Sequence, residues 1–381
     1  MKVFGPLIRA EQQVPLSDAL RDMELHGGPC AYIDYGALRH NLSVVRSTAP
    51  RSRILAVVKA NAYGHGIVPV AQALLGADAF GVARLKEAVA LRDAGIGQTI
   101  VLLEGVFSHA ELDVAAQLNI ELVVHSFAQL QALETWNGGC CLSVWCKVDT
   151  GMNRLGFRMD DFPIAWSRLL HCTHVQQLRV MTHLADADSR DNERTPKQIQ
   201  RFSALVRDLN VERSIGNSAG LVAWPDARVE WVRPGLMLYG MSPFAAIVAA
   251  ELNLRPAMTL IAPLIAVRDV KAGEEVGYGG TWRATHDTRV GIAATGYGDG
   301  YPRHARTGTP VYVNAQRRPL IGRVSMDMIA IDLGADSPLQ SGAPVILWGE
   351  GLPAEQVASF ADTIPYELVC AISQRVAMRY R

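Results

Sequence analysis

Between residues 54 and 240, eight short apolar or β-branched runs alternate with stretches of helical spacing, and this alternation constrains the fold more than any other feature. The runs are ILAVVKA, AFGVA, IVLLEG, ELVVHS, LSVWCKVDTG, LRVMTHLA, SIGNSAG and VRPGLMLYG. Stretches such as RLKEAVALRDAG, SHAELDVAAQLN, SFAQLQALE and TPKQIQRFSALVRDL separate them with helical periodicity. Eight strands interleaved with helices predict an α/β chain beginning with a (β/α)8, TIM-like barrel. A doubly wound open sheet is the alternative, and the GxGxxG turn that would favour it is missing after the first strand.

The texture changes near residue 254. The runs LIAPLIAVRDV, EEVGYGG, RVGIAAT, TPVYVN, RPLIGRV, MIAIDL and APVILWG follow one another with turns and no convincing helix between them. They predict a mainly β C-terminal domain over 254–381, ending in a helical stretch from Pro353. The barrel domain is expected over 26–253, with a lone strand near 30–35 that is free to pair with the β domain. Residues 1–25 carry no strong signal and are expected to form a loosely attached extension.

Composition removes several function classes. The 381 residues exceed a single ordinary core, and 49% hydrophobic against 19% charged residues fits a large buried interior. Thirty-seven basic and 37 acidic side chains leave no net charge and no basic block, so neither nucleic acid nor an anionic membrane is an expected partner. The N-terminal MKVFGPLIRAEQQVPL lacks the central apolar region of a secretory signal, and no stretch reaches the length of a membrane span. The six cysteines show no CxxC spacing and read as reduced thiols, which makes the cytoplasm the expected compartment. HCTH at 171–174 offers too few ligands at useful spacing for a metal site.

In a (β/α)8 barrel the functional side chains gather at the C-terminal ends of the strands. That rule selects Lys59 after the first strand and Lys147, Asp149 and Arg154 around the fifth. It adds His183 on the sixth, Asn217 and Ser218 on the seventh, and Arg233 on the eighth. Lys59 closes an apolar run, where an ammonium is expensive to bury unless it is paired or functional. Burial would lower its pKa from about 10.4 and make the neutral amine available as a base, a phosphate ligand or a Schiff-base amine. The backbone amides and hydroxyl of NSAG and RPGL could bind a phosphate. A lysine with a phosphate cradle points to pyridoxal phosphate, although phosphorylated sugar substrates satisfy the same features. Taken singly, Tyr278 reads as a packed β-domain aromatic, His183 as a core histidine, and Lys147 with Asp149 as a local ion pair. GYGDGYP at 296–302 reads as a tight turn near a dimer contact.

The joint pattern is more specific. AVVKANAYGHG, FGVARLKEA, KVDTGMNRLGF, THLADAD, NSAG, WVRPGLMLYG, VGYGGTW, TGYGDGYPR, GRVSMDM and VILWGEG occur in order from about residue 30 to the C-terminus. Together they resemble the bacterial alanine racemases, fold-type III pyridoxal-phosphate enzymes that work as homodimers. The resemblance implies that Lys59 carries the cofactor covalently and acts on one face of the substrate. Tyr278, reaching the site of the other subunit, acts on the opposite face. It further implies that Arg233 faces the pyridine nitrogen beside His183, and that Arg154 contacts the cofactor phenolate and the substrate carboxylate. Lys147 matches a lysine that is often carbamylated. Tyr63, Ser218, Gly235, Leu236 and Tyr366 align with the phosphate cradle, where Asn217 is also expected. Met326 and Asp327 match residues at the substrate carboxylate and the site entrance. The implied function is interconversion of L- and D-alanine for peptidoglycan synthesis. Alternatives are a racemase preferring serine or another amino acid, or a fold-type III decarboxylase; an arginine at the pyridine nitrogen argues against the latter.

Overall fold

The computed structural model describes residues 27–381, so the expected extension over residues 1–25 lies outside the described residues. Those described fall into two compact units, residues 34–257 and residues 27–33 with 258–381. The division comes a few residues after 253 because Asn41 ties the chain at Arg255 to the first unit. Its Nδ2 donates to the carbonyls of Leu238 and Arg255 at 3.0 and 2.8 Å, and its Oδ1 accepts from the Arg255 amide at 2.8 Å.

Strand β1 (Cys30–Ile33) belongs to the second unit and is followed by α1 (Tyr35–Thr48), which opens the first. The first unit is a closed parallel barrel of eight strands. Its strands are β2 (Arg53–Val57), β3 (Ala79–Val82), β4 (Thr99–Leu102), β5 (Ile120–Val124), β6 (Leu142–Lys147), β7 (Val175–Met181), β8 (Arg213–Ser214) and β9 (Trp231–Val232). Helices α2 (Ile67–Ala73), α3 (Leu85–Asp93), α4 (His109–Gln117), α5 (Phe127–Glu134), α6 (Phe162–His171), α7 (Arg194–Leu205) and α8 (Ser218–Ala223) follow the first seven of them in turn. The strands are short; β2, β3 and β5 are buried almost throughout, as a parallel sheet covered on both faces requires, while β7 is buried only over its last three residues. Helix starts follow local chemistry: Ser108 and Ser126 accept the amides of Glu111 and Gln129. One expectation needs correcting. The run VRPGLMLYG contributes only its first residue to the barrel, through the strand Trp231–Val232, and its apolar part is a buried 3-10 turn, Leu236–Tyr239. Pro234 lacks an amide for a ladder, and Gly235 adopts φ −123°, ψ −85°, outside the strand region.

A charged plug fills the barrel toward the N-terminal ends of the strands. Arg179 lies between Glu121 and Glu212 at 2.8 and 2.7 Å, while the indoles of Trp145 and Trp231 donate to the same two carboxylates at 2.7 and 3.0 Å. Arg53 also pairs with Glu212 and stacks on Trp231. Buried charges persist only when paired and hydrogen-bonded, and here every member has a partner. The opposite ends of the strands are left to carry chemistry.

The second unit is built on β10 (Met258–Val270), a 13-residue strand with an irregularity between Leu264 and Ala266. After it come β11 (Glu275–Val276), β12 (Trp282–Arg283), β13 (Thr288–Ala293), β14 (Pro310–Val313), β15 (Gln316–Ile321), β16 (Ile329–Asp332) and β17 (Pro344–Trp348). Antiparallel pairings run in a ring from β10 through β13, β16, β15, β14 and β17 back to β10, which leaves few free sheet edges. β1 adds to β10 antiparallel, and the final strand β18 (Ala377–Tyr380) adds to β1 in parallel. Helices α9 (Ala354–Phe360) and α10 (Pro365–Cys370) form the helical stretch expected after Pro353.

Candidate active site at the barrel mouth

Strand β2 ends at Val57, Val58 is buried, and the backbone then turns left-handed. Ala60, Asn61, Ala62 and Tyr63 have φ of 54°, 53°, 53° and 52°. For residues with a Cβ this conformation costs about 1–2 kcal/mol each, so the surroundings must hold it in place. They do so through many bonds. The amides of Ala62, Gly64 and Gly66 donate to the carbonyls of Val58, Ala60 and Asn61. Glu87 Oε1 accepts the Ala60 amide at 2.7 Å, and Asn61 Oδ1 accepts that of Ile67 at 2.9 Å. Lys59, at the start of this turn, is half-buried rather than buried, and it forms no ion pair among the described residues. A half-open mouth leaves the Lys59 side chain in contact with water, so the cost that a sealed strand end would impose does not arise.

Lys147 ends β6 and is buried. Burial, reinforced by the positive charges of Arg233, Arg154 and Lys59, pushes its ammonium down to about 8, with Glu104 opposing. The pairing with Asp149 expected from sequence is not made. Asp149 Oδ1 instead accepts the amides of Gly151 and Met152 at 2.8 and 2.9 Å and shapes the loop that leads to the exposed Arg154. Arg233, just beyond β9, is buried with every contact a donation: to Ser214 Oγ at 2.5 Å, to the carbonyls of Thr182 and Ile215 at 2.6 and 3.2 Å, and to His183 Nδ1 at 3.3 Å. Burial pushes the guanidinium down to about 10, so it stays charged at neutral pH. Because a guanidinium only donates, His183 Nδ1 is the acceptor and any ring proton sits on Nε2. Burial, then the charges of Arg233, Lys147, Arg154 and Lys59, hold the His183 imidazole well below its ordinary range. The mouth therefore brings together Lys59, Lys147, Arg154, His183 and Arg233 as an electropositive pocket with one neutral imidazole.

A second cluster lies beside it. Ser218 Oγ accepts the amides of Gly235 and Met237 at 3.0 and 3.3 Å, and Asn217 Oδ1 accepts that of Gly220 at 2.8 Å as the cap of α8. A Cβ on Gly235 would stand 2.5 Å from Tyr63 Oη, so only glycine lets the Tyr63 phenol approach these amides. Tyr63 stacks on Tyr239 at 4.7 Å, and Tyr239 Oη donates to the Val57 carbonyl at 3.0 Å. Leu236 is buried beneath. Sequence reasoning missed Met237, Tyr239 and Thr182; nothing in local spacing marks them, because their roles arise from folded contacts.

The remaining expected residues belong to the second unit. Tyr278 sits at the tip of the β11–β12 hairpin between Gly277 and Gly279, both at positive φ, and is 72% exposed. Met326 and Asp327 lie on a loop docked against GYGDGYP: the amides of Tyr297 and Gly298 donate to the carbonyls of Ser325 and Met326 at 3.0 and 2.9 Å. Gly296 must be glycine there, since a Cβ would meet Ser325 O at 2.3 Å. Arg375, which the sequence did not single out, bonds Asp327 at 2.6 Å and Asp299 at 3.2 Å. Tyr366 is half-buried in α10. No group of three His, Cys, Asp or Glu among the described residues could hold a metal, and no described helix is long and apolar enough to cross a membrane.

The buried histidines make a pH prediction. His65, two residues beyond Tyr63 and fully buried, is pushed down to about 4 by loss of hydration. An unfolded imidazole protonates near 6.5, so the stability these neutral rings carry is complete above that value and is lost as pH falls toward 4. His65 alone corresponds to roughly 3 kcal/mol. Urea midpoints should fall between pH 7 and pH 5, and a His65→Leu chain should show a flatter dependence over the same range.

A family model described as the N-terminal domain of alanine racemase matches residues 33–243, and one for the C-terminal domain matches residues 257–380. The alanine racemases of Aeromonas hydrophila and Vibrio vulnificus are each 52% identical over 351 residues, covering 92% of this chain and 98% of theirs. The solved biosynthetic alanine racemase of Pseudomonas aeruginosa superposes with a TM-score of 0.90 at 44% identity, covering 93% of this chain and 99% of that one. The Acinetobacter baumannii alanine racemase structure gives 0.87 at 39% identity, with 93% and 99% covered.

Proposed function

The chain belongs to the alanine racemase family of pyridoxal-phosphate-dependent isomerases, and on that premise we propose that it interconverts L- and D-alanine by a two-base mechanism. The observation that carries the reading is the mouth itself: a lysine amine with no ion pair among the described residues, set among Lys147, Arg154 and Arg233. The residues suit pyridoxal phosphate. The cationic surroundings match a dianionic phosphate and a substrate carboxylate, and the Gly235 and Met237 amides, the Ser218 hydroxyl and the Tyr63 phenol form a cradle that a Cβ at 235 would fill. In this proposal Lys59 carries the cofactor, while Tyr63, Asn217, Ser218, Gly235, Leu236 and Tyr366 hold its phosphate.

When bound, pyridoxal phosphate takes up the electron pair left at the substrate Cα when its proton departs. Inversion then needs one group to remove the proton from one face and another to return a proton on the opposite face. Lys59 serves one face and Tyr278 of the partner subunit serves the other. A phenol titrates near 10, too high for an effective base at neutral pH, so the neutral His183 ring, held by Arg233, is assigned to relay its proton. Arg233 keeps its own proton, since it already donates to two carbonyls and a hydroxyl. A guanidinium in that place supports racemisation over chemistries that need a protonated ring nitrogen. Arg154 pairs with the substrate carboxylate, and Met326 and Asp327 of the partner subunit line the approach. Lys147, lowered to about 8, has enough neutral amine near pH 7 to add carbon dioxide, and the resulting carbamate would relieve the crowded positive charge and steady Arg154.

Exposure supports the homodimer. Tyr278, Tyr297, Met326 and Met328 are exposed large side chains of one unit, and surfaces of that kind mark association sites. The absence of any cysteine pair fits the cytoplasm, where D-alanine for peptidoglycan is made in this proposal. A racemisation assay on alanine, serine, lysine and arginine tests the substrate. Alanine should be turned over with the highest kcat/KM, and a chain that prefers serine or a basic amino acid would overturn the assignment.

A further inference from the structure

The left-handed turn connects the two residues assigned to opposite ends of one ligand, Lys59 and Tyr63. Its far end carries a group that neither the site geometry nor the proposed chemistry uses. His65 is fully buried, and its Nδ1 lies 2.8 Å from the Tyr63 carbonyl. A carbonyl only accepts, so Nδ1 carries the hydrogen and Nε2 presents a bare lone pair. That lone pair meets no donor among the described residues. A buried acceptor left unpaired is costly, and an apolar side chain of similar size would avoid the cost. What the imidazole adds at this position is therefore the single Nδ1–H donor.

The donor acts on the most constrained carbonyl of the loop. Tyr63 is the last of four consecutive residues at positive φ. Its ring is held between the Gly235 backbone and Tyr239, and Tyr239 packs in turn on the His65 ring at 4.6 Å. Tyr239 also ties the assembly back to the end of β2 through the Val57 carbonyl. The contacts form a closed circuit: Val57, the turn, Tyr63, His65, Tyr239 and Val57 again. A change in the backbone at Tyr63 would have to break the His65 bond, one of the ring contacts, or both.

We infer that His65 is a positioning residue, whose buried ring locks the left-handed turn by donating to the Tyr63 carbonyl and so governs how long the cofactor is held rather than the chemistry at Cα. The inference rests on the proposed function, because it takes the ligand of Lys59 and Tyr63 to be pyridoxal phosphate.

The test compares His65→Leu, His65→Gln and His65→Asn holoenzymes. Asparagine places an amide N–H near the Nδ1 position, glutamine places one nearer Nε2, and leucine supplies none. Cofactor release is followed by loss of its visible absorbance on dilution into an aldehyde scavenger, and hydrogen exchange is read on the peptide spanning residues 59–67. His65→Leu and His65→Gln should release cofactor about tenfold faster, the change expected from one lost hydrogen bond, and exchange Gly64 and Gly66 faster. His65→Asn should stay within about threefold of the parent in both. Should the leucine chain not fold, the asparagine and glutamine pair decides. Release and exchange unchanged in His65→Leu, a lowered melting temperature with unchanged release, or His65→Asn as poor as His65→Gln would each overturn the inference. A parent chain that retains no pyridoxal phosphate would instead overturn the proposed function.

Discussion

Lys59→Ala should leave a folded chain that racemises alanine at least about a hundred to ten thousand times more slowly, the range for losing a proton-transfer group. Folding should survive because Lys59 is half-buried and forms no ion pair among the described residues; truncating it opens no sealed cavity and orphans no charge. The readout independent of turnover is covalent. Borohydride reduction of the parent should fix the cofactor on the peptide containing Lys59, and the variant should show no label there. A label on Lys147, the other lysine of the mouth, would mean that the wrong amine has been chosen. Removing one of several like charges should also ease the repulsion on Lys147, raising its depressed pKa toward the ordinary range.

Tyr278→Phe should keep the cofactor yet lose about a hundred to ten thousand times in racemisation, because the phenol is proposed to act only on protons. The loss should be lopsided. Exchange of the Cα proton of one alanine enantiomer should slow far more than that of the other, and equal slowing would contradict the two-face scheme. Stability should barely change, since the ring is 72% exposed at a hairpin tip. Mixing Lys59→Ala and Tyr278→Phe chains adds a subunit test. After random exchange, about a quarter of sites regain both groups if each site draws Tyr278 from the partner subunit. No recovery despite proven exchange would assign both bases to one chain.

Much of the fold was legible because local pattern and tertiary role agree. The apolar runs ILAVVKA and ELVVHS became β2 and β5, and the helical stretches SHAELDVAAQLN and SFAQLQALE became α4 and α5, capped by their opening serines. Legibility failed where a segment's conformation depends on distant partners. VRPGLMLYG looks like a strand, yet its apolar segment Leu236–Tyr239 is a buried 3-10 turn that follows Pro234 and Gly235, at the approach of Tyr63. β18 pairs with β1 across almost the whole chain, and no local signal announces that pairing. Arg375 is one arginine among many until Asp299 and Asp327 are seen beside it.

The sequence by itself determined the order of elements and the list of chemically able side chains, because strand and helix periodicity and the residues at strand ends are local properties. It also determined that Lys59 and Tyr63 share one short loop. Only the tertiary structure decided how that loop is held. Four left-handed residues in succession are unfavourable for any isolated chain, and they persist because Glu87, Gly235, Tyr239 and His65 close around them. The same holds for the charges of the mouth. Residue names give four cations, but burial and mutual repulsion bring Lys147 down to about 8 and hold His183 neutral, and those are properties of the folded distances alone.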